Sequence, residues 1–252
     1  MTELITDLIK KDSPFIFVKF GDGEFESASG CSGSNCDNDP YTLKLRNGIL
    51  EAVSYYSCLN NAYCGRWYAD RIASYFNSIA SGKINWVNYH TCIVDTTSFD
   101  NNLKLELFKA IKNSTRTKII VGNELLVRAK PLLGINEHII IPYRNWIEND
   151  FDNVVNKITS LCSYDDRPMV LTCAGMGSKI LIMELHRLFP NGIFIDIGSG
   201  LDYLCTKKCS RGNVYSYEKL ESYFSDILPL NWNDDCFNYI YEAAKHNIGI
   251  HL

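Results

Sequence analysis

No stretch of this chain approaches the roughly 18 consecutive apolar residues that a membrane-spanning helix needs. Residues 1–11 alternate Leu and Ile with Asp, Glu and Lys. They predict an amphipathic helix and lack the uninterrupted apolar core of a secretory signal. Basic charge is not in excess: 25 Lys and Arg face 29 Asp and Glu, and the net charge is −4 with an isoelectric point near 5.7. That balance excludes a partner nucleic acid held through its phosphates, which calls for a basic surface. A single basic pocket stays compatible with it. Histidine is scarce, and His90, His138, His186, His246 and His251 are scattered. No Ser/His/Asp or Cys/His order for covalent catalysis stands out. There is also no internal repeat and no low-complexity tract.

What is present fits a globular α/β chain. The 252 residues, 46% hydrophobic and 21% charged, suffice for one large domain with a full core. Such a core needs no disulfide staples, so the ten cysteines are expected as free thiols and the chain is expected in the cytoplasm. Cys58, Cys92, Cys162 and Cys173 sit in apolar or helical runs, as buried thiols do. The pairs Cys31/Cys36 and Cys205/Cys209 have spacings loosely like zinc ligands, but no His stands nearby at finger spacing.

Apolar runs of strand length alternate with longer segments of helical period. Strands are predicted at 15–20, 92–95, 118–121, 138–141, 169–173 and 193–197. Helices are predicted at 41–58, 65–80, 101–113, 125–133, 145–162 and 178–189. Residues 21–40, rich in Gly, Ser, Asn and Asp, are expected as a long functional loop without secondary structure of its own. Apolar strands each followed by a helix predict a Rossmann-like, doubly wound, mostly parallel sheet covered on both faces. Ligands are then expected at the carboxyl ends of the strands. Residues 1–204 form the expected domain. Residues 205–252, with helices at 218–227 and 236–246, are expected as a helical appendage packed on it.

Three strand ends carry candidate chemistry. In Lys19-Phe20-Gly21-Asp22-Gly23-Glu24 a hydrophobic strand runs into two glycines alternating with two carboxylates. In an extended segment Asp22 and Glu24 project to one side and repel unless a cation neutralises them. Hard oxygen ligands of this kind suit Mg²⁺ or Mn²⁺ bridging nucleotide phosphates, while a solvated acidic turn accounts for the same residues. In Ala174-Gly175-Met176-Gly177-Ser178 an apolar strand meets a helix. The glycines and the free N–H groups of the helix suit a phosphate, and a plain strand-to-helix turn capped by Ser178 suits them equally. Asp196-Ile197-Gly198-Ser199-Gly200 has the D-x-G-x-G form of the first motif of S-adenosylmethionine-dependent methyltransferases. Only 56 residues follow it (252 − 196), too few for the further strands such a sheet needs. Gly122-Asn123-Glu124 and Pro142-Tyr143-Arg144-Asn145 also follow strands, and could supply base stacking, ribose hydrogen bonds or simple loop capping.

Taken together, these segments resemble the GT-D-type glycosyltransferases, long known only as a domain of unknown function. The resemblance spans residues 12–204. Members carry an arginine-aromatic-Gly-Asp-Gly-Glu segment, matched by Lys19 to Glu24, and an Ala-Gly turn before a late helix, matched by Ala174-Gly175. An Asp-Ile-Gly segment follows, matched by Asp196-Ile197-Gly198, with an acidic residue beyond it equated with Asp202. Two positions depart: Lys19 replaces the arginine and loses its bidentate fork, and Ser199 stands where some members have His.

The resemblance implies a metal-dependent transferase that moves a sugar from a nucleotide-diphosphate donor, UDP favoured, to a hydroxyl of a glycan or glycoconjugate. Asp22 and Glu24 would hold Mn²⁺ or Mg²⁺ and, through it, the donor diphosphate. The donor is expected against Lys19, Gly21, Asn123, Tyr143, Gly175, Gly177, Asp196 and Ser199, with Asp202 ahead of Glu124 as the base that removes the acceptor proton. A methyltransferase, or an inert nucleotide-sugar-binding protein, is the alternative, and a homo-oligomer stays open.

Overall fold

The computed structural model describes residues 1–35, 38–66, 70–88, 101–142, 144–201 and 205. The chain opens with α1 (Thr2–Lys10), whose Ile5 and Ile9 lie on one face and are buried. β1 (Phe15–Phe20) follows and is buried at every position, as befits a strand covered on both faces. α2 (Asp22–Ser29) and α3 (Leu43–Ser57) lead to β2 (Ala62–Arg66), then α4 (Asp70–Ile79) and the short β3 (Trp86–Asn88). α5 (Asn101–Asn113) precedes β4 (Lys118–Gly122), a 3₁₀ turn (Glu124–Arg128), α6 (Ala129–Leu133) and β5 (Glu137–Ile140). α7 (Trp146–Asn149) and α8 (Phe151–Leu161) then lead into β6 (Met169–Cys173). A 3₁₀ turn (Gly175–Gly177), α9 (Ser178–Leu188), β7 (Ile193–Asp196) and a last 3₁₀ turn (Gly198–Leu201) complete the described order.

All seven strands are parallel, in the order β3-β2-β1-β7-β6-β4-β5. The first half of the chain winds outward from β1 through β2 to β3; the second half starts at β4, steps outward to β5 and returns through β6 to β7. β7 closes the sheet between β1 and β6. Side-chain alternation divides the core into two layers. Ile16, Val18 and Phe20 of β1 pack with Ile49, Val53, Leu181 and Leu185 of α3 and α9 on one face. Phe15 and Phe17 pack with Ile5, Leu107, Ile111 and Leu132 of α1, α5 and α6 on the other. The doubly wound α/β architecture is therefore as expected, and folds of this kind bind ligands at the carboxyl ends of their strands.

Several local expectations are corrected. Residues 21–40 are not a bare loop, because α2 begins directly after β1. Glu24 satisfies the Gly21 N–H, and Gly30, at φ 85°, terminates the helix in the left-handed conformation. The predicted helix over 65–80 is instead the end of β2 and the whole of α4. Gly65 belongs to the strand, paired with Lys19 of β1 and Val87 of β3, and a Cβ there would crowd the Phe17 ring at 3.3 Å. The predicted helix over 145–162 is broken into α7 and α8 at Asp150. β3, of three residues at the sheet edge, was not anticipated. The strand expected at 92–95, Cys36, Cys209 and the helices expected at 218–227 and 236–246 lie outside the described residues.

At the amino ends of the strands Arg116, 5% exposed, ties three segments together. Its guanidinium donates to Asp12 Oδ1 at 2.5 Å, to the Asp12 carbonyl at 2.8 Å, and to the carbonyls of Arg167 and Asn191 at 3.0 and 2.7 Å. Among the described residues no helix is long and apolar enough to cross a membrane. Cys31, Cys58, Cys64 and Cys162 are free thiols.

Candidate functional site

The strand carboxyl ends gather most of the sequence-predicted residues. After β1 the chain turns at Gly21, in extended conformation, and enters α2 at once. On a helix, residues two apart are rotated by about 200°, so Asp22 and Glu24 cannot share a side as they would in an extended segment. Asp22 is exposed, and its Oδ1 accepts the neighbouring Gly23 N–H at 3.1 Å. Glu24 points inward and is 8% exposed.

Each oxygen of Glu24 has a partner there. Its Oε2 accepts the Gly21 N–H at 2.8 Å, and its Oε1 lies 2.6 Å from Nζ of Lys179 on α9. The same ammonium lies 2.9 Å from Asp196 Oδ2 and donates to the Gly175 carbonyl at 3.3 Å. Asp196 ends β7 and is 1% exposed; it also accepts the Lys19 N–H at 3.3 Å. Lys19 Nζ donates to the Ile197 carbonyl at 2.7 Å and stands 3.9 Å from Asp196 Oδ1. Two ammonium groups thus neutralise two carboxylates in a buried array, the arrangement that lets charge leave water at all. Burial lowers the pKa of Lys19, and Asp196 partly counters it. Burial also works to lower that of Lys179, but Asp196 and Glu24 outweigh it and hold the group above its ordinary value.

The glycines of the β6–α9 turn divide in role. Gly175 is exposed, at φ 58°, with open space where a Cβ would stand. Gly177 is closed: a Cβ there would lie 2.4 Å from the Trp146 ring, so its small size serves packing and not ligand approach. Trp146 Nε1 also donates to the Ala174 carbonyl at 3.2 Å, pinning the turn. Beyond β7, Gly198 lies at φ 56° above Lys19, and Ser199 is half-buried.

At the end of β4, Asn123 caps the 3₁₀ turn, its Oδ1 accepting the Leu125 N–H at 3.0 Å. Glu124 is half-buried, and its Oε1 is a buried oxygen without a hydrogen-bond partner. Thr172 Oγ1 is likewise without a partner, on β6 in register with Asp196. Asp202 and Tyr143 lie outside the described residues. Lys179 was missed by sequence reasoning. A lysine beside the apolar run of α9 reads as a surface residue, and only the folded chain brings its two carboxylate partners to it.

A divalent cation at this site meets an uneven donor set. Among the described residues no three His, Cys, Asp or Glu side chains cluster as a metal site. Asp22 fits, since it is exposed and an ion of this kind binds through one or two carboxylates plus substrate phosphates. Glu24 does not fit as a second ligand in this arrangement, because it is buried and the Lys179 ammonium stands 2.6 Å from its Oε1, where a cation would be repelled. Asp196 is similarly enclosed and cannot reach a ligand ribose, which argues against the methyltransferase alternative.

No known family profile and no curated protein matches the sequence. Fold and candidate site define a doubly wound α/β protein whose sequence-predicted residues gather at the carboxyl ends of β1, β6 and β7. The particular fold is that of solved structures of the domain of unknown function 1792. One, described as a new glycosyltransferase (DUF1792) from Streptococcus sanguinis, is 15% identical over 96% of each chain, with a TM-score of 0.59. A second, described as having a distinct glycosyltransferase fold, is 12% identical over 93% of this chain and 91% of that one, with a TM-score of 0.56. A selenomethionine-substituted DUF1792 structure is 13% identical over the same shares, with a TM-score of 0.57.

Proposed function

We propose that the protein is a glycosyltransferase that moves a sugar from a nucleoside-diphosphate donor, uridine favoured, to a hydroxyl of a glycan or glycoconjugate. The observation that carries this reading is the likeness of nearly the whole chain to the glycosyltransferase fold, 93–96% of it, together with the exposed Asp22 at the carboxyl end of β1. Asp22 would hold Mn²⁺ or Mg²⁺, and the bound ion would supply positive charge for the leaving diphosphate. The open face of Gly175 admits that diphosphate close to the backbone.

The acceptor oxygen forms a bond to the anomeric carbon as the bond to the diphosphate breaks, and a carboxylate takes the acceptor proton. Asp202 is first choice for that base and Glu124 second. Glu124 ranks second because its Oε1, although without a hydrogen-bond partner, is enclosed, and a substrate hydroxyl would have to displace its cover to reach it.

Thermal unfolding tests the reading. A ligand at a hundredfold excess over its dissociation constant stabilises by about 2.7 kcal/mol, so UDP with Mn²⁺ should raise the melting temperature by roughly 5–10 °C. Chelator should erase the gain, and adenosyl-homocysteine should give none. A shift with adenosyl-homocysteine and none with any nucleoside diphosphate would sink the proposal. Slow hydrolysis of a bound nucleotide-sugar separates an enzyme from an inert binding protein.

A further inference from the structure

We infer that Lys179 is a positioning residue for the donor site: its ammonium is the built-in counter-ion of Glu24 and Asp196, and it holds Glu24 where Glu24 fixes the turn that carries Asp22. Asp22 is then the one carboxylate of the Asp-x-Glu segment open to a metal. This deepens the proposed function and rests on it only for the identity of the ligand.

Three elements meet at this one nitrogen. Lys179 Nζ contacts Glu24 in the first turn of α2, Asp196 at the end of β7 and the carbonyl of Gly175 in the β6–α9 turn. All three contacts lie at the carboxyl ends of β1, β7 and β6, the neighbouring strands at the centre of the sheet. Losing the ammonium therefore removes one tie from all three together. Glu24 also has a second task, since its Oε2 holds the Gly21 N–H and so fixes where α2 starts. Asp22 rides on that turn, so its position depends on Glu24 without any contact between Glu24 and a ligand.

Charge decides against Glu24 as a direct ligand. A divalent ion on Glu24 would sit within a few ångströms of a buried ammonium, and like charges so close repel strongly where water is excluded. The two roles predict opposite signs. Were Glu24 a ligand, removing the lysine charge would free its oxygen and tighten metal binding. If Glu24 positions, removing Lys179 releases the turn and weakens it.

The experiment measures Mn²⁺ uptake in the presence of UDP by the loss of the free-ion electron paramagnetic resonance signal, alongside amide hydrogen exchange across α2. Lys179→Met should weaken Mn²⁺ uptake by at least about tenfold and speed exchange in the first turn of α2 comparably, the cost of one charge-assisted hydrogen bond. Lys179→Arg, which keeps the cation, should recover much of both. Should Lys179→Met fail to fold, Glu24 gives the same decision. Glu24→Gln keeps an oxygen acceptor and should hold Mn²⁺ uptake within about threefold, whereas Glu24→Ala loses about tenfold. Tighter Mn²⁺ uptake in Lys179→Met, or a loss in Glu24→Gln as deep as in Asp22→Asn, overturns the inference. A wild-type protein that takes up no Mn²⁺ counts against the proposed metal dependence instead. The exchange arm then decides for or against Lys179, since unchanged exchange in Glu24→Ala overturns its role without any metal.

Discussion

A Cβ atom placed on Gly198 would stand 2.3 Å from Nζ of Lys19, so the turn after β7 and the one lysine inside β1 constrain each other. Lys19 is 3% exposed and donates to the Ile197 carbonyl, which leaves its ammonium little freedom to retreat. Gly198 also sits at φ 56°, where an L-residue is strained. Gly198→Ala should therefore cost about 1–3 kcal/mol in urea unfolding. In a Lys19→Ala background the added cost should shrink to the backbone strain alone, a coupling that a double-mutant cycle reads directly. Additive losses would mean that the two residues do not meet.

Gly175 and Gly177 should separate in the same assay. Gly177→Ala drives a methyl into Trp146 and Ile147, an overpacking that costs about 1–3 kcal/mol. Gly175→Ala meets no atom within 4 Å and carries only the strain of φ 58°, about 1 kcal/mol. Its larger effect should fall on UDP affinity, because the new methyl fills the open face assigned to the diphosphate. Calorimetric titration that finds UDP affinity unchanged in Gly175→Ala removes that turn from the binding site.

Arg116 predicts a loss of stability with no loss of ligand binding. Its buried guanidinium serves Asp12 and the carbonyls of Arg167 and Asn191, all at the amino ends of the strands, opposite the candidate site. Arg116→Met strands those acceptors and should cost about 3 kcal/mol, discounted for the partly exposed Asp12. For a domain of this size that is a fall of roughly 6–12 °C in melting temperature. Arg116→Lys should fall between, since it keeps charge and loses the fork. The UDP-induced shift should survive in both.

The sheet was legible in the sequence because burial on both faces writes an unbroken apolar run, as in Phe15–Phe20 and Met169–Cys173. α2 was not, since only Glu24, Ser27 and Ala28 of its eight residues are buried and no apolar stripe marks it. Its signals were the ends: Glu24 three residues after Gly21, and Gly30 beyond the last turn. β2 escaped because Ala62-Tyr63-Cys64-Gly65-Arg66 carries neither alternation nor a β-branched run. The site was half legible. Motif order placed Asp22, Glu24, Gly175 and Asp196 at strand ends, where the fold has them. The pairing of Glu24 and Asp196 with Lys179 could not be read, because it joins elements that only the crossover order of the sheet brings together.

His186 gives a pH dependence with a definite sign. The ring is 7% exposed, its Nδ1 lies 2.7 Å from the Tyr55 hydroxyl, and the rings of Tyr55 and Phe194 stand edge-on to it. Burial lowers its pKa from the ordinary 6.5, and burial lowers that of His138 in the same direction. The unfolded chain therefore binds protons at a higher pH than the folded one. Stability must rise with pH across the window between the lowered folded value and the unfolded 6.5, level off above it, and fall as acid charges the buried rings. Arg187, adjacent in sequence and stacked over Tyr55, adds no opposing attraction for an imidazolium. Urea midpoints measured from about pH 5.5 to 7.5 should climb and then flatten. His186→Gln should reduce that slope, and adding His138→Gln should reduce it further, with the midpoints above pH 7 shifted by a constant amount. A slope unchanged in the double variant would place the proton uptake elsewhere and return both histidines to neutral packing.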